Sequence, residues 1–168
     1  NVDKLVPSDL YNSYLPGTQD QRARKYYRTE IGGYSLLKGG SSSYRCSFRV
    51  GEMYLNSAEA ALKNRHPEIA KNRLLQLLKN RYQSTAYTQA ETDINAMDDN
   101  ALLDEIYLQR RLELSYEGHR WFDIRRMEKD KRPILTREYE GQTYHIEDNY
   151  PELTIKIPDE AREANPYL

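Results

Sequence analysis

Apolar side chains recur every three or four residues in the middle of the chain, which is typical of amphipathic helices that pack on one face. The first predicted helix covers residues 47–64, and its stripe of small or apolar residues is Val50, Met53, Tyr54, Ser57, Ala58, Ala61 and Leu62. A second helix, over about residues 67–81, repeats the stripe with Ala70, Leu74, Leu77 and Leu78. Because so few residues join the two helices, we expect them to lie antiparallel with their stripes in contact.

A second pair of helices follows a polar segment over residues 82–98. The third helix is predicted from about residue 99 to residue 117, and a fourth over residues 119–127. The N-cap candidates of the third helix are Asp98, Asp99 and Asn100. Gly118 allows the chain to bend between the third and fourth helices.

The two ends of the chain lack this periodicity. Residues 1–46 are rich in Gly, Ser and Tyr, so we expect an irregular wrap. Residues 133–139 and 142–146 predict a small β-hairpin, because the turn-forming pair Glu140-Gly141 separates them. A short strand over residues 153–157 and a helical turn over residues 159–164 complete the pattern.

These elements predict a mainly α-helical fold of tetratricopeptide-like antiparallel helix pairs, with an irregular N-terminal wrap and a small C-terminal β-hairpin. The predicted segments are the wrap over residues 1–46, a helical core over residues 47–128, and the hairpin and tail of the same domain over residues 129–168. The likeness to tetratricopeptide repeats is one of architecture, because the Trp and Gly signature positions of that repeat are missing.

Composition and charge narrow the possible partners and cofactors. The net charge of the 168 residues is -1, which argues against nucleic acid as a partner. Residues 1–90 hold 14 Lys and Arg against 7 Asp and Glu, so the two halves carry opposite charge and we expect them to attract each other. The 3 histidines are far apart in sequence and Cys46 is the single cysteine, so neither a metal site nor a cofactor is predicted.

Tyrosine is unusually frequent, with 15 Tyr against 2 Phe and 1 Trp. A tyrosine ring joins a flat apolar face to a hydroxyl, which suits sugar-binding surfaces. Loops on a helical scaffold are common recognition sites, so the ligand-binding candidates are four of the six tyrosines of the wrap, Tyr26, Tyr27, Tyr34 and Tyr44. The alternative is that these rings fasten the wrap to the helices.

The densest group of charged residues lies between residues 110 and 126, and its members are Arg110, Glu113, Glu117, Arg120, Asp123 and Arg126. One interpretation is glycoside hydrolysis by Glu113 and Glu117, which needs two carboxyl groups across an open site, one with a raised pKa. Nearby arginines would instead lower both pKa values. We therefore expect a structural Arg–Glu network that braces helices, and no catalytic residues.

Three sequence motifs stand out between residues 49 and 158. The first is Arg49-Val50-Gly51-Glu52-Met53-Tyr54-Leu55-Asn56-Ser57-Ala58-Glu59-Ala60. The second runs from Leu103 through Glu117-Gly118-His119-Arg120-Trp121-Phe122-Asp123-Ile124-Arg125-Arg126, and the third is Ile155-Lys156-Ile157-Pro158. Together these motifs resemble the C-terminal part of the SusD/RagB family of nutrient-binding outer-membrane lipoproteins of Bacteroidetes.

This resemblance implies a cell-surface protein at the outer membrane that binds oligosaccharides or other nutrients and delivers them to a TonB-dependent transporter without hydrolysing them. Family members are longer, so we expect this chain to be a fragment that lacks the lipid anchor through which the family meets the membrane. A different class of function, also compatible with the helix pairs, is a helical-repeat module that binds a protein or peptide.

Overall fold

The computed structural model describes residues 6–38, 49–146 and 157–165, and it is mainly helical, as the sequence predicts. The chain forms two compact units, residues 1–120 and residues 121–168. The boundary between the units lies inside the segment 47–128 that the sequence analysis treats as one helical core. The predicted division into three segments stays a prediction.

The described part of the predicted wrap contains regular structure. Its elements are α1 (Ser8–Asn12), α2 (Gln21–Tyr26), β1 (Tyr27–Glu30) and β2 (Gly33–Leu36). The two strands pair antiparallel, with Tyr27 opposite Leu36. Helices of 5 and 6 residues are too short to show an apolar period, so this order leaves little trace in the hydrophobic pattern.

Four longer helices follow, and they are α3 (Val50–Lys63), α4 (Pro67–Leu78), α5 (Ser84–Ala96) and α6 (Asp99–Glu113). α3 packs against α4, and α6 packs against α3 and more lightly against α4. The predicted pairing of the first two helices is confirmed, with Pro67 in the first turn of α4. All four helices contribute to one core, which includes Leu55, Ala58, Leu62, Ala70, Leu74, Leu77, Leu78, Ile94, Leu102 and Ile106.

The buried face of α3 differs from the predicted stripe in its first half. Val50 and Met53 are 72% and 45% exposed, whereas Gly51 and Leu55 are buried. Ala58 and Leu62 are buried as predicted. The first turn of α3 faces a buried carboxylate, described below, so an apolar pattern does not mark its contact face.

α5 is a helix that the sequence analysis leaves as a polar segment. Its buried side chains are Ala86 and Ile94, Tyr87 and Ala90 are partly buried against the same core, and the helix packs against α4. Most other residues of α5 are polar and exposed. Because its apolar stripe is narrow, α5 has the composition of a loop, and its hydrophobic pattern did not predict a helix.

α6 begins as predicted and ends earlier than predicted. The Asp98 side chain caps it by accepting a hydrogen bond of 2.8 Å from the Ala101 N–H. The helix ends at Glu113 instead of residue 117, and Tyr116 and Gly118 follow with φ of 62° and 82°. Positive φ values are incompatible with a continuing right-handed helix, so Glu117 lies in a turn.

The last elements are α7 (Arg120–Arg126), a 3₁₀ turn (Lys129–Lys131), β3 (Leu135–Tyr139), β4 (Gln142–Ile146) and α8 (Asp159–Ala164). The predicted hairpin is confirmed: β3 and β4 pair antiparallel. Glu140 and Gly141 have φ of 50° and 73°, as a two-residue hairpin turn requires. The helical turn at residues 159–164 is also confirmed, whereas the strand predicted over residues 153–157 lies outside the described residues except for Ile157.

Candidate functional site

Glu113 lies at the centre of a buried group of charges. It is the last residue of α6 and is fully buried. Arg81 binds it with two parallel hydrogen bonds, Nη2 to Oε1 at 2.7 Å and Nε to Oε2 at 2.9 Å. Arg22 Nη1 lies 3.4 Å from Oε2 and Arg49 Nη2 lies 3.5 Å from Oε1. The carboxylate is therefore surrounded by three guanidinium groups.

The surroundings of Glu113 set its charge. Burial alone would raise the pKa of this carboxyl, but the hydrogen bonds and charge of Arg81, followed by the charges of Arg22 and Arg49, hold the pKa below its ordinary value. Glu113 is thus ionised at neutral pH and has both oxygens engaged. A carboxylate in this state is poorly suited to donate a proton to a leaving group.

Glu117 sits in the turn after α6 and is held by two cations, Lys38 and the same Arg49 that lies beside Glu113. Lys38 and Arg49 both form salt bridges with its Oε1. Lys38 Nζ also donates to the main-chain carbonyl of Glu113 at 2.6 Å, so it satisfies a carbonyl left free at the end of the helix. Burial lowers the pKa of Lys38, although Glu117 opposes that shift.

Arg22 connects α2 to this group from within the core. Asp20 caps α2 by accepting from the Arg22 N–H at 2.9 Å, and its carboxylate also binds the Arg22 guanidinium, with Nη2 to Oδ2 at 2.8 Å. Both side chains are almost fully buried. Desolvation lowers the pKa of Arg22, but the bonds and charge of Asp20 outweigh it and the pKa is raised. We call Asp20, Arg22, Lys38, Arg49, Arg81, Glu113 and Glu117 the charge network.

The structure also places the other charged residues of the predicted network. Arg110 contacts Asn56 and Glu52 of α3, and Arg126 Nε binds Asp123 Oδ1 at 3.0 Å within the second unit. Sequence reasoning missed Arg22, Lys38, Arg49 and Arg81, because partners so distant in sequence have no spacing signal. The opposite charge of the two chain halves pointed to them as a group, and Arg49 also begins the first of the three sequence motifs. A structural role for Arg120 stays a prediction.

Tyrosines of the N-terminal segment form a cluster beside the end of α6. Tyr14 donates to the Leu112 carbonyl at 2.7 Å and Tyr27 donates to Ser115 Oγ at 2.8 Å. Burial raises the pKa of Tyr14, so its hydroxyl stays a donor. These bonds fix the N-terminal segment to the helix, as in the alternative interpretation of the tyrosines.

The four candidate tyrosines have different surroundings. Tyr27 is 3% exposed, so its ring is covered by neighbouring side chains. Tyr26 is half-buried and its hydroxyl accepts from Arg49 Nη2 at 3.3 Å, while Tyr34 stacks on Tyr11 with ring centroids 3.5 Å apart. Tyr44 lies outside the described residues. A ligand-binding role for the four stays a prediction.

A cleft of about 200 Å³ lies beside α5 in the first unit. Its residues come from the chain after α1, from α5 and its flanks, and from α6, and they are Leu15, Gln19, Tyr82, Ala86, Gln89, Ala90, Asp93, Ile94, Met97 and Glu105. Apolar and polar side chains therefore line it together. It was not predicted, because α5 itself was not.

The described residues also bear on metal binding and on membrane insertion. Across residues 6–38, 49–146 and 157–165, no three His, Cys, Asp or Glu side chains are grouped as a metal ion would need. Within the same ranges, none of the helices is long and apolar enough to cross a bilayer.

Comparison with known proteins adds to these observations. A search of curated proteins gave no match. A sequence model of the SusD family, SusD_RagB, matches residues 17–168, which is most of the chain and includes all three motifs. The resemblance inferred from those motifs is thus confirmed: the chain belongs to the SusD family.

Proposed function

We propose that this protein binds glycans or other nutrients at the bacterial cell surface and passes them, unhydrolysed, to a TonB-dependent transporter in the outer membrane. The observation that carries the proposal is the family match over residues 17–168. Proteins of this family are known as nutrient-binding proteins associated with the outer membrane, not as enzymes.

The geometry of the charge network supports binding without catalysis. Glycoside hydrolysis needs an acid whose pKa is raised and a second carboxyl facing an open site. Glu113 is instead buried with a lowered pKa, and Glu117 is 8% exposed and bridged by Lys38 and Arg49. Glu113 and Glu117, the two carboxylates considered for catalysis, instead form ion pairs that connect α2 and a residue after the first hairpin to the end of α6.

Calorimetric titration of the protein with a panel of neutral and acidic oligosaccharides tests the proposal. We expect heat of binding for at least one of them, and the same oligosaccharide recovered intact from the sample. A complete absence of heat across the panel, or steady release of shorter sugars, would contradict it.

The proposed ligand-stacking role of tyrosines is tested by Tyr34→Ala. Because Tyr34 stacks on Tyr11 and is only partly buried, its loss should weaken a sugar stacked there by about 1–3 kcal/mol, as for other aromatic stacking platforms. Tyr87→Ala, a half-buried tyrosine of α5, is the matched control. Equal affinity of both variants would exclude stacking at Tyr34.

The transporter partner is tested by co-purification from outer membranes. We expect a TonB-dependent transporter to be retained with the protein. Co-purification of a different protein or peptide, without any such transporter, would support the alternative function of a helical-repeat module that binds a protein or peptide. The packing of α3 on α4 is also compatible with that alternative.

A further inference from the structure

The cleft beside α5 combines two kinds of surface that one sugar ring would need. Leu15, Ala86, Ala90, Ile94 and Met97 supply apolar contact for the C–H face of a ring. The polar lining residues Gln19, Gln89, Asp93 and Glu105 carry amide and carboxylate groups that pair with hydroxyls. A volume of about 200 Å³ is below the ~300–1,000 Å³ of pockets for drug-sized molecules, so it suits a single ring.

We propose that this cleft binds one neutral or amine-bearing sugar ring through Gln89, Asp93 and Glu105, with the ring's apolar face on α5. The inference rests on the proposed function, because it specifies where the sugar binds and which charge the sugar carries. It concerns a different surface from the candidate tyrosines.

The charge of the lining decides which sugars fit. Asp93 and Glu105 bring two carboxylates, and none of the residues lining this cleft is Lys, Arg or His. Hydroxyl and ammonium groups donate to carboxylates, whereas a uronate, sulfate or phosphate would meet like charge without a compensating cation. The cleft therefore favours neutral or amino sugars over acidic ones.

The charge network fixes one wall of the cleft. Arg22 Nη2 donates to Gln109 Oε1 at 2.7 Å, and since Arg22 can only donate, the amide nitrogen of Gln109 must face the other way. That nitrogen donates to Tyr82 Oη and to Glu105 Oε1, both at 2.8 Å. Gln109 is thus a positioning residue: it orients two cleft residues without lining the cleft.

Tyr82 is left as a hydroxyl donor by this arrangement. Its oxygen already accepts from Gln109, and burial raises its pKa to about 12. Glu105 accepts from Gln109 through Oε1, so its Oε2 remains as an acceptor for a ligand. Asp93 Oδ1 accepts from Gln89 Nε2 at 2.8 Å, which holds these two side chains side by side on the exposed edge of α5.

The test titrates the protein with methyl glucoside, glucosamine and glucuronate, following amide chemical shifts by NMR. We expect shifts at Gln89, Asp93 and Glu105 with the first two sugars, and binding of glucuronate at least about tenfold weaker, as the loss of a charge-assisted bond implies. Asp93→Ala and Ala90→Leu, which fills the cleft, should each weaken methyl glucoside by about tenfold or more. Glu91→Ala, an exposed carboxylate of the same helix outside the lining, is the control.

Each outcome decides a different part of the inference. If glucuronate binds as tightly as methyl glucoside, the charge class is wrong. If the protein binds oligosaccharides but both cleft variants bind like the Glu91→Ala control, the site is wrong while the proposed function stands. If neither these sugars nor the oligosaccharide panel binds, the site and the proposed function fail together. Circular dichroism confirms that each variant is folded.

Discussion

The side chain of Glu113 occupies space that a larger residue at position 51 would need. A Cβ atom built on Gly51 would lie 2.5 Å from Glu113 Oε1, closer than real contacts allow. Arg81 and Arg49 hold that oxygen in place, so it cannot simply move aside. A glycine in the first turn of α3 therefore lets the helix approach the carboxylate.

Gly51→Ala tests this contact, because the contact decides whether the substitution raises or lowers the free energy of unfolding. Helix propensity alone would make alanine more stable than glycine by about 1 kcal/mol. We expect the clash to win and the free energy of unfolding to fall by about 1–3 kcal/mol, as measured by urea denaturation. Val50→Ala, one residue away and exposed, should change little, and a more stable Gly51→Ala protein would contradict the contact.

Glu113→Gln tests the role of the buried carboxylate. The variant leaves Arg22, Arg49 and Arg81 without their shared anion, so we expect a loss of about 3–5 kcal/mol at pH 7. Because the folded-state pKa of Glu113 lies below the ordinary value of 4.5, its contribution is present above that value and is lost as the pH falls through the folded pKa.

The same variant gives a pH signature that a simple packing defect would not. Urea midpoints measured from pH 7 down to pH 3 should fall less steeply for Glu113→Gln than for the unaltered protein. Glu91→Gln, an exposed carboxylate of α5, should follow the unaltered protein. Parallel pH curves for all three proteins would show that Glu113 is not held ionised.

At the scale of elements, α5 depends on very few contacts. Ile94 is 2% exposed and belongs to the helix core, whereas Ile69 of α4 is 49% exposed. We expect Ile94→Ala to lower the free energy of unfolding by about 2–5 kcal/mol and Ile69→Ala by at most about 1 kcal/mol. Equal effects in thermal or urea unfolding would mean that α5 is not packed as described.

Elements with strong local signals were predictable from sequence. The stripe of α4, the Asp98 cap of α6 and the Glu140-Gly141 turn each depend on residues near one another in the chain. α5 escaped because its apolar stripe is narrow, and the buried face of α3 was misplaced because Gly51 and Glu59 are not apolar. The hydrophobic pattern of a sequence predicts apolar contacts, but it does not predict a contact between a helix and a charged side chain.

At the scale of the whole molecule, the charge network joins segments that lie far apart in sequence. Its cations come from residues 22–81, in the basic half of the chain. Its central carboxylates, Glu113 and Glu117, come from the acidic half. The sequence could indicate that the halves attract. It could not name the pairs, because each one depends on how α2, α3 and the end of α4 are placed around α6.

The network's position also bears on function. Four cations and three carboxylates are engaged with one another around the end of α6, so variants there should alter stability before they alter binding. We expect Arg49→Gln to lower the melting temperature, and to bind any identified oligosaccharide unchanged at a temperature where it is folded. Calorimetry at that temperature checks this, and a lost affinity in a folded variant would place Arg49 in the ligand site.

Glu113 and its arginines brace the fold as one unit, and a double-mutant cycle between Arg81 and Glu113 tests this claim. Urea unfolding of Arg81→Gln, Glu113→Gln and the double variant gives the coupling energy between the two side chains. We predict a coupling of about 1–3 kcal/mol, because the partners share two hydrogen bonds in a buried site. Effects that add to within about 0.5 kcal/mol would contradict the claim.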